Sequence, residues 1–170
     1  MTEPTMDTTS RADGQHDFDF LIGHWTVRHR RLKARLAGCS DWESFAGHAT
    51  MQPLMGGQAN VDDNLLKFPG GSCRAASLRC FDPRTGLWAI WWLDARRPQQ
   101  IDVPVRGRFE GGVGRFHADD QLDGRPIRVR FVWCGITPHA AHWEQAFSAD
   151  GGRSWETNWV MDFERDRTPA

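Results

Sequence analysis

The chain has 170 residues, enough for one domain with a sizeable core and too few for two of ordinary size. Its 21 basic and 22 acidic residues leave a net charge of −1, which removes any general electrostatic hold on nucleic acid or an anionic membrane. No run of about 18 apolar residues occurs, so no membrane-spanning helix is expected.

Residues 1–16 are rich in Thr, Asp and Ser and read as a disordered tail. The segment from Asp17 to Gly23 follows, with an Asp-rich start and a glycine stop, as one or two helical turns able to plug a barrel end. Beyond Gly23 the pattern has period two. Strands are expected over Trp25–Leu32, Trp42–Met51, Gln58–Leu66, Ala75–Phe81 and Leu87–Asp94. Five more follow over Val103–Glu110, Val113–Leu122, Ile127–Cys134, Ala141–Ser148 and Trp155–Glu164. Gly111-Gly112 and Asp123-Gly124 sit at hairpin positions. Links of a few residues leave no room for crossover helices. The expected fold is therefore all-β, a single antiparallel up-and-down barrel of about ten strands over residues 17–165, with a short N-terminal helical segment and a flexible end at 166–170.

Alternation assigns the inner faces. The tenth strand points Trp155, Thr157, Trp159, Met161 and Phe163 inward. The ninth contributes Trp143, Gln145 and Phe147, the eighth Val129, Phe131 and Trp133, and the first Trp25, Val27 and His29. The fifth is apolar on both sides: Trp88, Ile90, Trp92 and Asp94 oppose Leu87, Ala89, Trp91 and Leu93. One side is expected to lie under the N-terminal turns or a second subunit, with Trp88, Trp91 and Trp92 as a possible homodimer face. The chain holds nine Trp, ten Phe and no Tyr. An aromatic interior with sparse polar groups is the composition of a small-molecule pocket. The expected ligand-binding residues are Trp25, His29, Trp92, Asp94, Trp133, Trp143, Gln145 and Trp159. Gln145 or Asp94 is the expected polar anchor, and the partner a small hydrophobic molecule.

Cys39, Cys73, Cys80 and Cys134 lack C-x-x-C spacing, and no apolar leader precedes them, so free thiols and a cytoplasmic location are expected. His139 and His142 fall on opposite faces of an extended strand, so no metal site is assigned. Ser148 to Trp155 follows the Asp-box pattern, Ser-x-Asp-x-Gly-x-Ser-Trp, and reads as a structural turn between the last two strands. No Ser-His-Asp signature or phosphate loop appears, and the catalytic residues are unknown. The alternative to a carrier or sensor is an isomerase, cyclase or hydratase that uses Asp94, His29 or Glu144 for proton transfer, with an apolar wall raising a carboxyl pKa.

Gly23-x-Trp25 after a helical lead-in resembles the opening of the calycins, the lipocalin and fatty-acid-binding-protein superfamily. More of the chain resembles uncharacterised bacterial proteins grouped as a domain of unknown function with a calycin-like barrel. The matching stretches include Phe18 to Trp25, Met55 to Gly57, Leu78 to Pro83, Trp92 to Asp94, Gly111 to Phe116, Arg130 to Trp133 and Trp143 to Ser148. The resemblance implies a barrel and no reaction. One calycin group binds haem through a barrel histidine; His29 and His48 are the conceivable counterparts, but neither lies in a matching motif and no cofactor is assigned. The fatty-acid carriers hold a carboxylate with arginine. Arg128 and Arg130 would serve only if their strand were flipped, and Arg79 is a further candidate.

Overall fold

A computed structural model of the protein describes residues 14–167. Ten strands follow two short 3-10 turns at Gly14–His16 and Asp19–Leu21. They are β1 (Gly23–Leu32), β2 (Trp42–Leu54), β3 (Ala59–Phe68), β4 (Gly71–Asp82), β5 (Leu87–Asp94), β6 (Val105–Glu110), β7 (Val113–Leu122), β8 (Arg125–Cys134), β9 (Ala140–Ser148) and β10 (Glu156–Arg165). Every neighbouring pair is antiparallel, and β1 pairs with β10 to close the barrel. Closure leaves no unpaired sheet edge.

The turns follow their residues. Asp123 and Gly124 both adopt positive φ, as do Gly111 and Gly112, the geometry that lets a two-residue loop match strand twist. The tight approach of β6 to β7 needs Gly107, where a Cβ would sit 1.8 Å from the Arg115 carbonyl oxygen. The Asp-box turn is held by the Asp150 carboxylate. It accepts the Ser148 and Ser154 hydroxyls and the Arg153 and Ser154 backbone N–H groups, which holds its pKa far below the usual range.

The N-terminal turns plug one end, as their pattern predicts. Phe18 is buried against Trp88, Phe109, Phe116 and Trp133. The Trp25 indole donates to the Leu21 carbonyl at 2.7 Å and so ties β1 to the second turn. Arg165 lies over the Trp25 ring at 4.2 Å and donates to the carbonyls of Phe20, Ile22 and Pro138. The tail expected over residues 1–16 falls outside the described residues up to residue 13. Gly14 to His16 instead form a turn, and the Gly14 carbonyl accepts the Trp88 indole N–H at 2.8 Å. The end expected to be flexible lies outside them from residue 168. Asp166 is bonded to β1 through His24 and Thr26.

In two strands the expected side-chain directions need correction. In β10 the register shifts between Thr157 and Trp159, so Trp155 does not share the inner face of Trp159. Trp155 lies under the Arg130 guanidinium, 4.5 Å from its ring centre, beside His117. Asn158, not Thr157, is the fully buried polar residue of that strand. In β5, Trp88 and Trp92 turn inward, so of the three proposed dimer-face tryptophans only Trp91 stays on the outer side. Arg128 and Arg130 face outward, as the alternation of β8 predicts: Arg128 pairs with Asp119 at the surface, and Arg130 covers Trp155.

Candidate functional site

Inside the barrel, between the aromatic plug and the opposite mouth, lies a cavity of about 170 Å³. Its walls come from alternate residues of the strands, as period two requires. β5 gives Ile90, Trp92 and Asp94; β8 gives Val129, Phe131 and Trp133; β9 gives Trp143, Gln145 and Phe147; and β10 gives Trp159, Met161 and Phe163. Trp159 meets both Trp92 and Trp143 edge to face, with ring centres 5.9 and 5.8 Å apart.

A polar stripe interrupts this wall on β3 and β4. Asn60, Asp62 and Asn64 alternate inward on β3, and the register sets Ser77 opposite Asp62 and Arg79 opposite Asn60. Arg79 Nη2 donates to Asp62 Oδ2 at 2.6 Å, and Nη1 to Asn60 Oδ1 at 3.2 Å. The other Asp62 oxygen accepts the Ser77 backbone N–H and the Asn64 amide. Both members of the ion pair are buried, at 4% and 8% side-chain exposure. The Arg79 guanidinium lies over Phe18, 5.2 Å from its ring centre, and 5.9 Å from that of Trp133, so it forms part of the cavity floor. Arg79 Nε and Trp133 Nε1 are buried and have no hydrogen-bond partner among the described residues.

The mouth is ringed by charge. Arg31 pairs with Glu43 and lies over Phe68 and Trp159. Arg96 grips Asp94 with Nε and Nη2, and those bonds are the chief cause of an Asp94 pKa of about 2. Asp102 moves the other way: burial, the largest cause, and the nearby carboxylates push it up against the pull of Arg97 and Arg35. Arg35 lines the mouth over Phe147.

Of the eight expected ligand-binding residues, six line one cavity: Trp92, Asp94, Trp133, Trp143, Gln145 and Trp159. Trp25 and His29 point inward but form the packing behind it. The His29 ring stacks on Phe45 at 4.6 Å, and Nδ1 accepts the Trp159 indole N–H at 3.2 Å. Burial, and then the Arg31 charge, pull its pKa down to about 4, so the ring is neutral. Of the two expected polar anchors, Gln145 donates one amide N–H to Asn158, and Asp94 is held by Arg96. The expected rise in a carboxyl pKa does not occur at Asp94; the arginine contact outweighs the apolar wall. Glu144 lies on the other face of β9 from Trp143 and Gln145, away from the cavity. The histidines do not fit a haem ligand. His48 is on the outer face against Lys67, and β2 closes over the His29 ring, whose Nε2 would be 2.6 Å from a Cβ at Gly47.

The four cysteines are free. Among the described residues no helix is long and apolar enough to cross a membrane.

Fold and site together define a closed ten-stranded barrel with an aromatic cavity and a polar floor. No family model matches the chain, and no curated protein matches it. Among solved structures, the chain is similar to the S-type phycobiliprotein lyase of Guillardia theta. The identity is 10%, over 94% of this chain and 96% of that one, with a TM-score of 0.65. A DUF3598-family protein of unknown function from Nostoc punctiforme matches at 9% identity over 90% and 99%, with a TM-score of 0.24. The first likeness is one of fold.

Proposed function

We propose that this protein binds a small, largely apolar molecule inside its barrel, as a carrier or sensor of the calycin type. The observation that carries this reading is the cavity of about 170 Å³ whose walls include Trp92, Phe131, Trp143 and Trp159. Apolar cavities of about 150 Å³ accept benzene-sized guests. The likeness to a phycobiliprotein lyase concerns the barrel alone, so the ligand is argued from the cavity. A carrier is favoured over a proton-transfer enzyme because the three candidate groups are all otherwise engaged or placed. Asp94 is held ionised by Arg96, His29 is covered and neutral, and Glu144 lies outside.

The test is a titration with benzene, followed by methyl NMR of Val129 and Met161 and by tryptophan fluorescence. Saturable shifts of both methyls are expected. Val129→Phe, which extends a ring into the void, should abolish the Met161 shift and change stability by less than about 1 kcal/mol, whereas overpacking a filled core costs about 1–3 kcal/mol. Methyls that ignore benzene, with Val129→Phe strongly destabilised, would mean the interior has no room for a guest.

A further inference from the structure

Gln145 lies on β9 opposite Phe131 of β8 and Trp159 of β10, and all three line the cavity. Its carboxamide is oriented by its neighbours. The fully buried Asn158 has its amide 3.5 Å from the Glu156 backbone carbonyl. A carbonyl only accepts, so the Asn158 group beside it is the NH2, and Oδ1 is the group that meets Gln145. Gln145 therefore presents an N–H to that Oδ1, at 2.8 Å. The polarity set at Glu156 passes through two amides and leaves Gln145 Oε1 as the unused end.

Oε1 accepts no hydrogen bond from any described residue. It differs from the sealed nitrogens Arg79 Nε and Trp133 Nε1 because it keeps accessible surface. Gln145 is only 8% exposed and lines the inside of a closed barrel, so that surface opens on the cavity. A wholly apolar guest beside it would strip Oε1 of water and return nothing, whereas a guest with a donor replaces the lost bond. The donor suited to this wall is un-ionised. An ammonium group would be desolvated while Asp62 and Asp94 are already paired with Arg79 and Arg96. In a space for about one aromatic ring, a hydroxyl is the donor that adds least volume.

We infer that Gln145 Oε1 is the polar anchor of the cavity and accepts a hydrogen bond from an un-ionised hydroxyl, so that the natural guest is a phenol or a small alcohol with an apolar body. This rests on the cavity reading above and adds the class of the guest and the group by which it is held.

Toluene, phenol and pyridine are close in size and differ in hydrogen bonding: none, donor and acceptor, acceptor only. Each is titrated at about pH 7.5, where all three are uncharged, into protein labelled at glutamine carboxamides and methionine methyls. Toluene should shift the Met161 methyl and give the ring-current background at the Gln145 side-chain carbonyl carbon. Phenol should shift the same methyl and move that carbon further downfield than toluene does, as a carbonyl moves when it accepts a hydrogen bond. Gln145→Met, which keeps the length and removes the oxygen, should weaken phenol about fivefold, the scale of one net hydrogen bond, and change toluene by less than about twofold. Phenol that failed to bind where toluene bound, or that left the carbonyl carbon at the toluene shift, would overturn the hydroxyl subsite while the cavity reading stood. So would a Gln145→Met variant that weakened pyridine and not phenol, because the amide would then present its N–H to the guest. If none of the three moved the Met161 methyl, the cavity reading would fall as well. The wild-type carbonyl shift decides the matter even if Gln145→Met folds poorly.

Discussion

Arg79 and Asp62 illustrate how a buried charge is tolerated inside an aromatic barrel. Each ionised group has its counter-ion, and Asn60, Asn64 and the Ser77 backbone occupy further bonding positions. Breaking such a pair from one side strands the other charge. Arg79→Met alone should lower stability by about 3–5 kcal/mol in urea unfolding. Adding Asp62→Asn, which keeps an oxygen for the Ser77 N–H, should restore most of it. Equal stability of single and double variants would show that the pair is not what sets the cost. This stripe was the part of the site least legible in the sequence. Alternation assigns apolar residues to the core, and β3 reverses the rule: Asn60, Asp62 and Asn64 face in while Val61 and Leu65 face the other side. The readable signal was the period-two Asn-x-Asp-x-Asn run with Leu66 in phase, together with Arg79, which the resemblance to arginine-using carriers already marked as a candidate.

At the level of elements, period two served well wherever strands are regular. The expected bounds of β5 and β7 match those observed, and the inward sets of β8 and β9 line the cavity. It failed at Trp155 because one register shift in β10 sends residues on its two sides to different faces, and no local residue signals the shift. β4 starts earlier than expected, at Gly71, because Pro69 and Gly70 suffice for the turn. The ladder is uneven. β5 and β6 share three residue pairs, Trp88 with Gly107, Ala89 with Arg106 and Ile90 with Val105, against ten between β3 and β4. Few shared bonds mean cheap local opening. In native-state hydrogen exchange, the Val105–Gly107 amides should exchange at least about tenfold faster than those at the centre of β3, and uniform protection around the ring would refute this.

For the whole molecule, burial of a neutral histidine ties stability to pH. His29 takes no proton in the folded barrel until the pH nears about 4, while a solvated imidazole titrates at 6.5. The unfolded chain therefore binds an extra proton across that window, so stability present above pH 6.5 is lost as the pH falls towards 4. At about 1.4 kcal/mol per pH unit the loss is on the order of 3 kcal/mol. A second decline follows between 3.8 and about 2, as the Asp94 carboxylate that Arg96 holds is protonated. Urea midpoints measured from pH 7.5 to 3.5 should show the first decline, and His29→Gln should flatten it; an unchanged slope in that variant would remove His29 as the cause.

The closing seam between β1 and β10 brings Trp25 opposite Arg165, beside the plugged floor, while the charged rim of the cavity lies at the other end of the same strands. Linking the end of β10 to the start of the N-terminal turns, so that Phe18 stays in the floor, and cutting the chain in a rim loop would thus give a rearranged molecule with the same ring of ten strands. Conversely, anchoring the native molecule by its floor would present every copy upright, with its opening towards the solution.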